Sequence, residues 1–174
     1  RLQDAEGRTI ARPIPASYYH AEGPMARSLG LIDGQRRVGI VGLGAGSMAC
    51  YARPGDTWRL YEIDPAVVEI ARDPSKFNFL SACLPNAPVM LGDARLALAA
   101  EPAKGFDYLL IDAFSSDSIP VHLMTVEGLK LYIGKLADKG LLALHISNRH
   151  LDLAPVLAAA LPALPGVEGV LVRN

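Results

Sequence analysis

The sequence predicts an α/β protein: a mostly parallel sheet with helices on both faces. Three observations carry this. Short apolar runs rich in β-branched residues alternate with helix-forming stretches from residue 38 onward. The first run leads straight into Gly42-Leu43-Gly44-Ala45-Gly46, a tight turn ahead of a helix start. Finally, each apolar run ends in a glycine or a polar residue, at the edge where open sheets of this kind bind ligands.

The elements follow in order. Residues 1–24 are polar and punctuated by Pro13, Pro15 and Pro24, and read as a hairpin or an ordered arm. A short helix over 25–31 leads to the turn Asp33-Gly34. Strands are expected at 38–42, 58–63, 88–91, 108–112 and 141–147, with helices between them at 47–52, 65–71, 95–100 and 125–139. A last helix over 153–161 precedes a strand at 167–172. Pro65 suits the first turn of its helix, where a missing N–H costs nothing. Gly140 suits the end of the longest helix, whose Val126, Leu129, Leu131, Ile133 and Leu136 form a core-facing stripe.

The chain's 174 residues suffice for one domain with a proper core. Its composition, 51% hydrophobic and 20% charged, is that of an ordinary globular protein. A net charge of −1 gives no electrostatic case for nucleic acid. The basic pair Arg36-Arg37 reads as solvating a loop before the first strand. Cys50 and Cys83 lack metal-ligand spacing and read as buried thiols, with nothing to imply an oxidising compartment. No apolar run reaches bilayer length and no signal peptide is visible, so a cytoplasmic soluble domain is expected. A start at Arg1 rather than Met reads as a fragment or a processed product.

The chemistry gathers at the predicted strand ends. Gly42, Gly44 and Gly46 allow positive φ and close approach of a ligand to the backbone, and the helix start behind them favours an anion. Eighteen residues beyond Gly44, Glu62 is placed to accept hydrogen bonds from the two hydroxyls of a ribose. Asp64 is better read as the cap of the next helix, and Asp93 can cap the helix that starts at Ala94. Asp112 closes the apolar run Tyr108-Leu109-Leu110-Ile111, where a part-buried acid needs a purpose. His145 lies in an apolar run and reads as a satisfied core histidine. His122 and His150 have no partner spacing, so no metal site is expected. Ser115 or Ser116 could be imagined in a Ser-His-Asp triad, but no Gly-x-Ser-x-Gly elbow exists. Gly44-x-Gly46-x-x-Ala49 also satisfies a nicotinamide fingerprint.

Taken together, Gly42-Leu43-Gly44-Ala45-Gly46, Tyr61-Glu62-Ile63-Asp64, Gly92-Asp93-Ala94 and Asp112 onward resemble the spermidine synthase family of aminopropyltransferases. The blocks Asp112-Ala113-Phe114-Ser115-Ser116-Asp117 and His145-Ile146-Ser147-Asn148-Arg149 are similar to its bacterial spermidine synthase-like branch, often fused to a membrane segment. The resemblance implies a Rossmann-like class I methyltransferase fold, here without the final antiparallel strand. It divides the chain into an arm on the substrate side, 1–30, and a nucleoside-binding catalytic domain, 31–174. It implies that the glycine turn holds the donor's aminopropyl or amino-acid end and that Glu62 binds the ribose. Asp93, with the backbone of Ala94, would read the adenine. Asp112 would be the catalytic acid of an acidic loop that also carries Asp117. Tyr19 and His20 fall where the family has a Tyr-Gln pair on the substrate side. Three departures stand out: Ala45 replaces an acid that contacts the aminopropyl amine, His20 replaces the glutamine, and the acidic loop is longer.

The function expected is transfer of an aminopropyl group to a small amine. The donor is decarboxylated S-adenosylmethionine or S-adenosylmethionine, the product methylthioadenosine or S-adenosylhomocysteine, and no metal takes part. The alternatives are an S-adenosylmethionine-dependent methyltransferase, favoured by Ala45, a non-catalytic nucleoside-binding module, and, as an outsider, a nicotinamide dehydrogenase. The expected partners are a small-molecule acceptor, an attached membrane segment in the parent protein and a second copy in a homodimer.

Overall fold

The structure, a computed structural model, describes residues 12–113, 120–147 and 152–172. Among these residues five strands, β1 (Arg37–Val41), β2 (Thr57–Glu62), β3 (Val89–Leu91), β4 (Phe106–Ile111) and β5 (Leu136–Leu144), form one sheet in the order β3-β2-β1-β4-β5, every pair parallel. The chain steps outward from β1 to β2 and β3, then returns to the other side of β1 for β4 and β5. That reversal sets a crevice between the carboxyl ends of β1 and β4.

Among the described residues, six α-helices cover the sheet: α1 (Pro24–Gly30), α2 (Pro65–Arg72), α3 (Phe79–Cys83), α4 (Ala94–Ala100), α5 (Val126–Lys135) and α6 (Ala154–Ala160). Alternation along the strands builds two cores. On one face Val38, Ile40, Leu60 and Leu110 meet Met25 and Leu29 of α1, Ala71 of α2 and Leu80 of α3. On the other, Val41, Tyr61, Leu109 and Ile111 meet Leu98 of α4, Leu129 and Tyr132 of α5 and Ala160 of α6. Strands β1 and β4 are buried on both faces, as a covered parallel sheet requires. No described helix is long and apolar enough to cross a membrane.

The helix starts follow the expected chemistry. Asp64 Oδ1 accepts from Ala66 N at 2.8 Å ahead of Pro65, and Asp93 Oδ1 accepts from Arg95 N and Leu96 N at 2.8 and 3.1 Å. Five expectations need correction. The helix expected over 47–52 is a 3₁₀ turn, Ser47–Tyr51. The longest helix stops at Lys135, and Gly140 lies inside β5, where an added Cβ would be 3.0 Å from the carbonyls of Ala137 and Phe106. Residues 167–172 form no strand. The helix α3 was not foreseen, and its last residue, Cys83, is bonded to Cys50, with Cα atoms 4.8 Å apart, so these are a disulfide and not thiols. Arg36 is not solvated: it is 2% exposed and paired with Asp56. Arg37, half-exposed, forks onto Asp107.

Candidate active site at the carboxyl edge of the sheet

The last rung of the sheet's hydrogen bonding places the site residues. Gly92 N donates to Glu62 O, Gly42 N to Tyr61 O, Asp112 N to Val41 O and His145 N to Ile111 O, all at 2.8–2.9 Å. The residues that end strands β1 to β5 are therefore fixed by backbone bonds along one line. Beyond that line opens a cleft of about 480 Å³, whose lining includes Tyr19, Gly42, Gly44, Glu62, Asp93, Ala94, Asp112 and His122. Of the positions the resemblance assigns to the site, His20, Ala45 and Gly46 do not line it. His20 is exposed, its Nδ1 accepting from Glu22 N at 3.3 Å. Asp117, with Ser115, Ser116 and His150, lies outside the described residues.

The three glycines of the turn all have positive φ, for three different surroundings. A Cβ on Gly42 would sit 2.1 Å from the Asp112 carbonyl oxygen, so β1 and β4 pack backbone to backbone there. A Cβ on Gly46 would meet Leu80 at 2.6 Å, where α3 closes down on the turn. A Cβ on Gly44 meets nothing within 4 Å, so this is the turn's open side, on the cleft. Gly92 (φ 127°) likewise has open space beside it.

Glu62 braces this turn. Its Oε2 accepts from Leu43 N at 2.9 Å, and its Oε1 accepts from Ile63 N and Asp64 N at 2.9 and 3.0 Å. Three backbone donors thus hold the carboxylate in one orientation and leave Oε2 with an acceptor site to spare. Asp93 spends Oδ1 on capping α4, while Oδ2 faces the cleft, 3.5 Å from His122 Nε2. The His122 carbonyl accepts from Arg95 Nη1 at 2.9 Å. Sequence reasoning gave His122 no partner, and its pairing with Asp93 required the fold.

Asp112 is the most enclosed acid of the cleft, its side chain 3% exposed. His145 Nδ1 lies 2.6 Å from Oδ1, and the Tyr19 hydroxyl donates to Oδ2. On the far side of the ring, Nε2 lies 3.1 Å from Ser147 Oγ. Burial pushes the Asp112 carboxyl above the ordinary carboxylate range, against the hydrogen bond and charge of His145, which pull it down. His145 is therefore a satisfied histidine, but its partner belongs to the site. The register of β4 and β5, Ile111 beside Leu144, sets the next residues of the two strands side by side.

Tyr19 reaches the cleft because its segment is tied to the turn's far end. The Tyr51 hydroxyl donates to Tyr19 O at 2.5 Å, and Arg12 Nη2 donates to the carbonyls of Cys50 and Ala52 at 2.9 Å. Tyr51 carries no sequence signal for this role. Among the described residues, no group of three or more His, Cys, Asp or Glu could hold a metal ion.

No family model matches the chain. It is 37% identical over 111 residues, 61% of its length, to a polyamine aminopropyltransferase of Vibrio vulnificus, and spans 36% of that protein. A solved spermidine synthase in complex with the transition-state analogue AdoDATO superposes with a TM-score of 0.60 at 18% identity, covering 74% of this chain and 47% of that one. Human methyltransferase-like protein 13, in complex with SAH, superposes with a TM-score of 0.59 at 24% identity, covering 75% and 63%. In sequence this chain is similar to a polyamine aminopropyltransferase over part of its length, and its sheet shares the fold of solved spermidine synthases and methyltransferases.

Proposed function

We propose that this chain is the donor-binding and catalytic part of a transferase that moves an aminopropyl group from an adenosyl sulfonium donor to a small amine. The observation that carries the reading is the single edge on which a glycine turn, Glu62, Asp93 and the enclosed Asp112 face one cleft. The aminopropyltransferase relative from Vibrio vulnificus supports it, as do the solved relatives holding AdoDATO and SAH.

The residues fit such a donor. Gly44 leaves room for its tail, Glu62 has an acceptor position free for a ribose hydroxyl, and Asp93 Oδ2 with the Ala94 backbone suits an adenine edge. The donor supplies a carbon made electrophilic by its bond to a positively charged sulfur. Asp112 accepts a proton from the acceptor's ammonium group. The freed nitrogen lone pair forms the new N–C bond while the C–S bond breaks, its electrons staying on sulfur. Charge balances: a cationic acceptor and a carboxylate become a cationic secondary amine and a carboxylic acid, and the sulfur becomes neutral. An acid whose pKa is raised by burial is a stronger base than a solvated one.

A second reading, methyl transfer, is favoured by Ala45, which offers no carboxylate to an aminopropyl ammonium and none to repel the carboxylate of S-adenosylmethionine. Calorimetry with methylthioadenosine, both adenosyl donors and NAD, followed by mass analysis of products formed with diamines, tests both. Binding of the decarboxylated donor and a mass gain of one aminopropyl group are expected. Preferential binding of NAD, or no adenosyl binding, overturns the reading; a methyl gain establishes the second.

A further inference from the structure

We propose that His145 is the positioning residue of this site, clamping Asp112 Oδ1 so that Oδ2 is the oxygen presented to the acceptor. The inference rests on Asp112 being the base. A carboxylate at the end of a strand can turn about its side-chain bonds, and a 1 Å displacement of a reacting group is costly in rate. Here the turning is blocked from both sides. The imidazole lies 2.6 Å from Oδ1 and is itself held by Ser147 Oγ at 3.1 Å on the opposite ring nitrogen. The ring's backbone is fixed in turn by the bond from His145 N to Ile111 O, one residue before Asp112. With Asp112 ionised, Nδ1–H donates to Oδ1, and Nε2 meets Ser147 Oγ as donor or acceptor. Oδ2 takes the Tyr19 hydroxyl and keeps a second lone pair for an amine.

The array also joins an enclosed carboxylate to the surface, because Ser147 is exposed. Among the described residues, the ionisable groups set against Asp112 are Tyr19 from the arm and His145 from the segment after β5; β1 contributes the backbone of Gly42. Loss of the imidazole removes the influence that holds the Asp112 pKa down, so the acid limb of the pH profile moves to higher pH.

The test compares the parent with His145→Phe, which keeps a ring without a donor, and His145→Asn, whose amide can donate from near the Nδ1 position. Methylthioadenosine affinity is expected to stay within about twofold, while His145→Phe loses turnover by about 10²-fold and shifts the acid limb upward. His145→Asn is expected to recover part of both. An unmoved acid limb in a folded His145→Phe, or a His145→Asn no better than it, overturns the proposal. Should His145→Phe not fold, proton NMR of the parent decides: a far-downfield Nδ1 proton that disappears in Asp112→Asn is expected, and its absence from the parent overturns the clamp. A parent that binds methylthioadenosine but transfers to no amine defeats the function proposed above and leaves the NMR result to judge the pairing. Labelling of Ser147 by a fluorophosphonate would overturn positioning in favour of a nucleophilic role.

Discussion

Arg36 and Asp56 bury their side chains almost completely, each 1% exposed, and meet through Arg36 Nε and Nη2. Asp56 also accepts from the backbone N–H groups of Arg36 and Arg53, and Arg36 Nη2 also donates to Tyr51 O. Nothing in the pair Arg36-Arg37 distinguishes the two side chains, because successive residues of an extended segment face opposite ways and sequence does not say which way is in. Removing one partner strands a charge, so Asp56→Ala is expected to cost about 3–5 kcal/mol in urea unfolding. Burial alone would raise the Asp56 pKa, but the bonds from Arg36 and the backbone outweigh it and hold the carboxyl below its ordinary value. Its contribution is therefore complete above the unfolded value of about 3.9 and is lost as pH falls through the folded one. Urea midpoints between pH 2 and 7 should fall on the acid side in the parent and fall less in Asp56→Asn. The glycines give a sharper contrast. Gly42→Ala drives a Cβ into the Asp112 carbonyl and should prevent folding. Gly44→Ala meets only the strain of φ 50°, about 1 kcal/mol, and should fold while binding methylthioadenosine more weakly.

Strands β1 to β4 were legible because apolar, β-branched runs bounded by glycine or acid have one good reading. The passage from α5 to β5 was not. Its apolar residues continue a helical spacing past Lys135, but the chain straightens at Leu136 and bulges, so that Phe106 pairs with Leu136 while Tyr108 pairs with Leu141. That bulge sets which residue after β5 stands beside Asp112, so the His145 partnership was out of reach of any local pattern. The disulfide was hidden for a similar reason, since neither cysteine's surroundings announce the other. It joins the 3₁₀ turn Ser47–Tyr51 to α3 across 33 residues that include β2 and α2. A loop of that length corresponds to about 3–4 kcal/mol of chain entropy, so the double variant Cys50→Ser, Cys83→Ser should lose stability of that order in urea. An unchanged midpoint would show that the packing of Leu80 under Gly46 already does the work of the bond.

At the scale of the molecule, the central strands are enclosed and the flanks are not. Apart from Arg37 and Asp107, the residues of β1 and β4 are buried, whereas Met90 and Leu91 on the edge strand β3 are 46% and 59% exposed. Amide exchange should be slowest in β1 and β4 and markedly faster in β3. Faster exchange in β4 than in β3 would contradict the strand order. The row of backbone bonds along the carboxyl edge has a consequence for how such a protein can change. Glu62, Asp112 and His145 owe their places to main-chain rungs, so address and spelling are separable there. A randomised library at these three positions should yield mostly folded chains of altered chemistry. The same library one residue earlier, at Tyr61, Ile111 and Leu144, should yield mostly unfolded ones, because those side chains pack in the second core. Innovation on this scaffold would then be confined to a single line of residues, one step past the point where the sheet stops needing them.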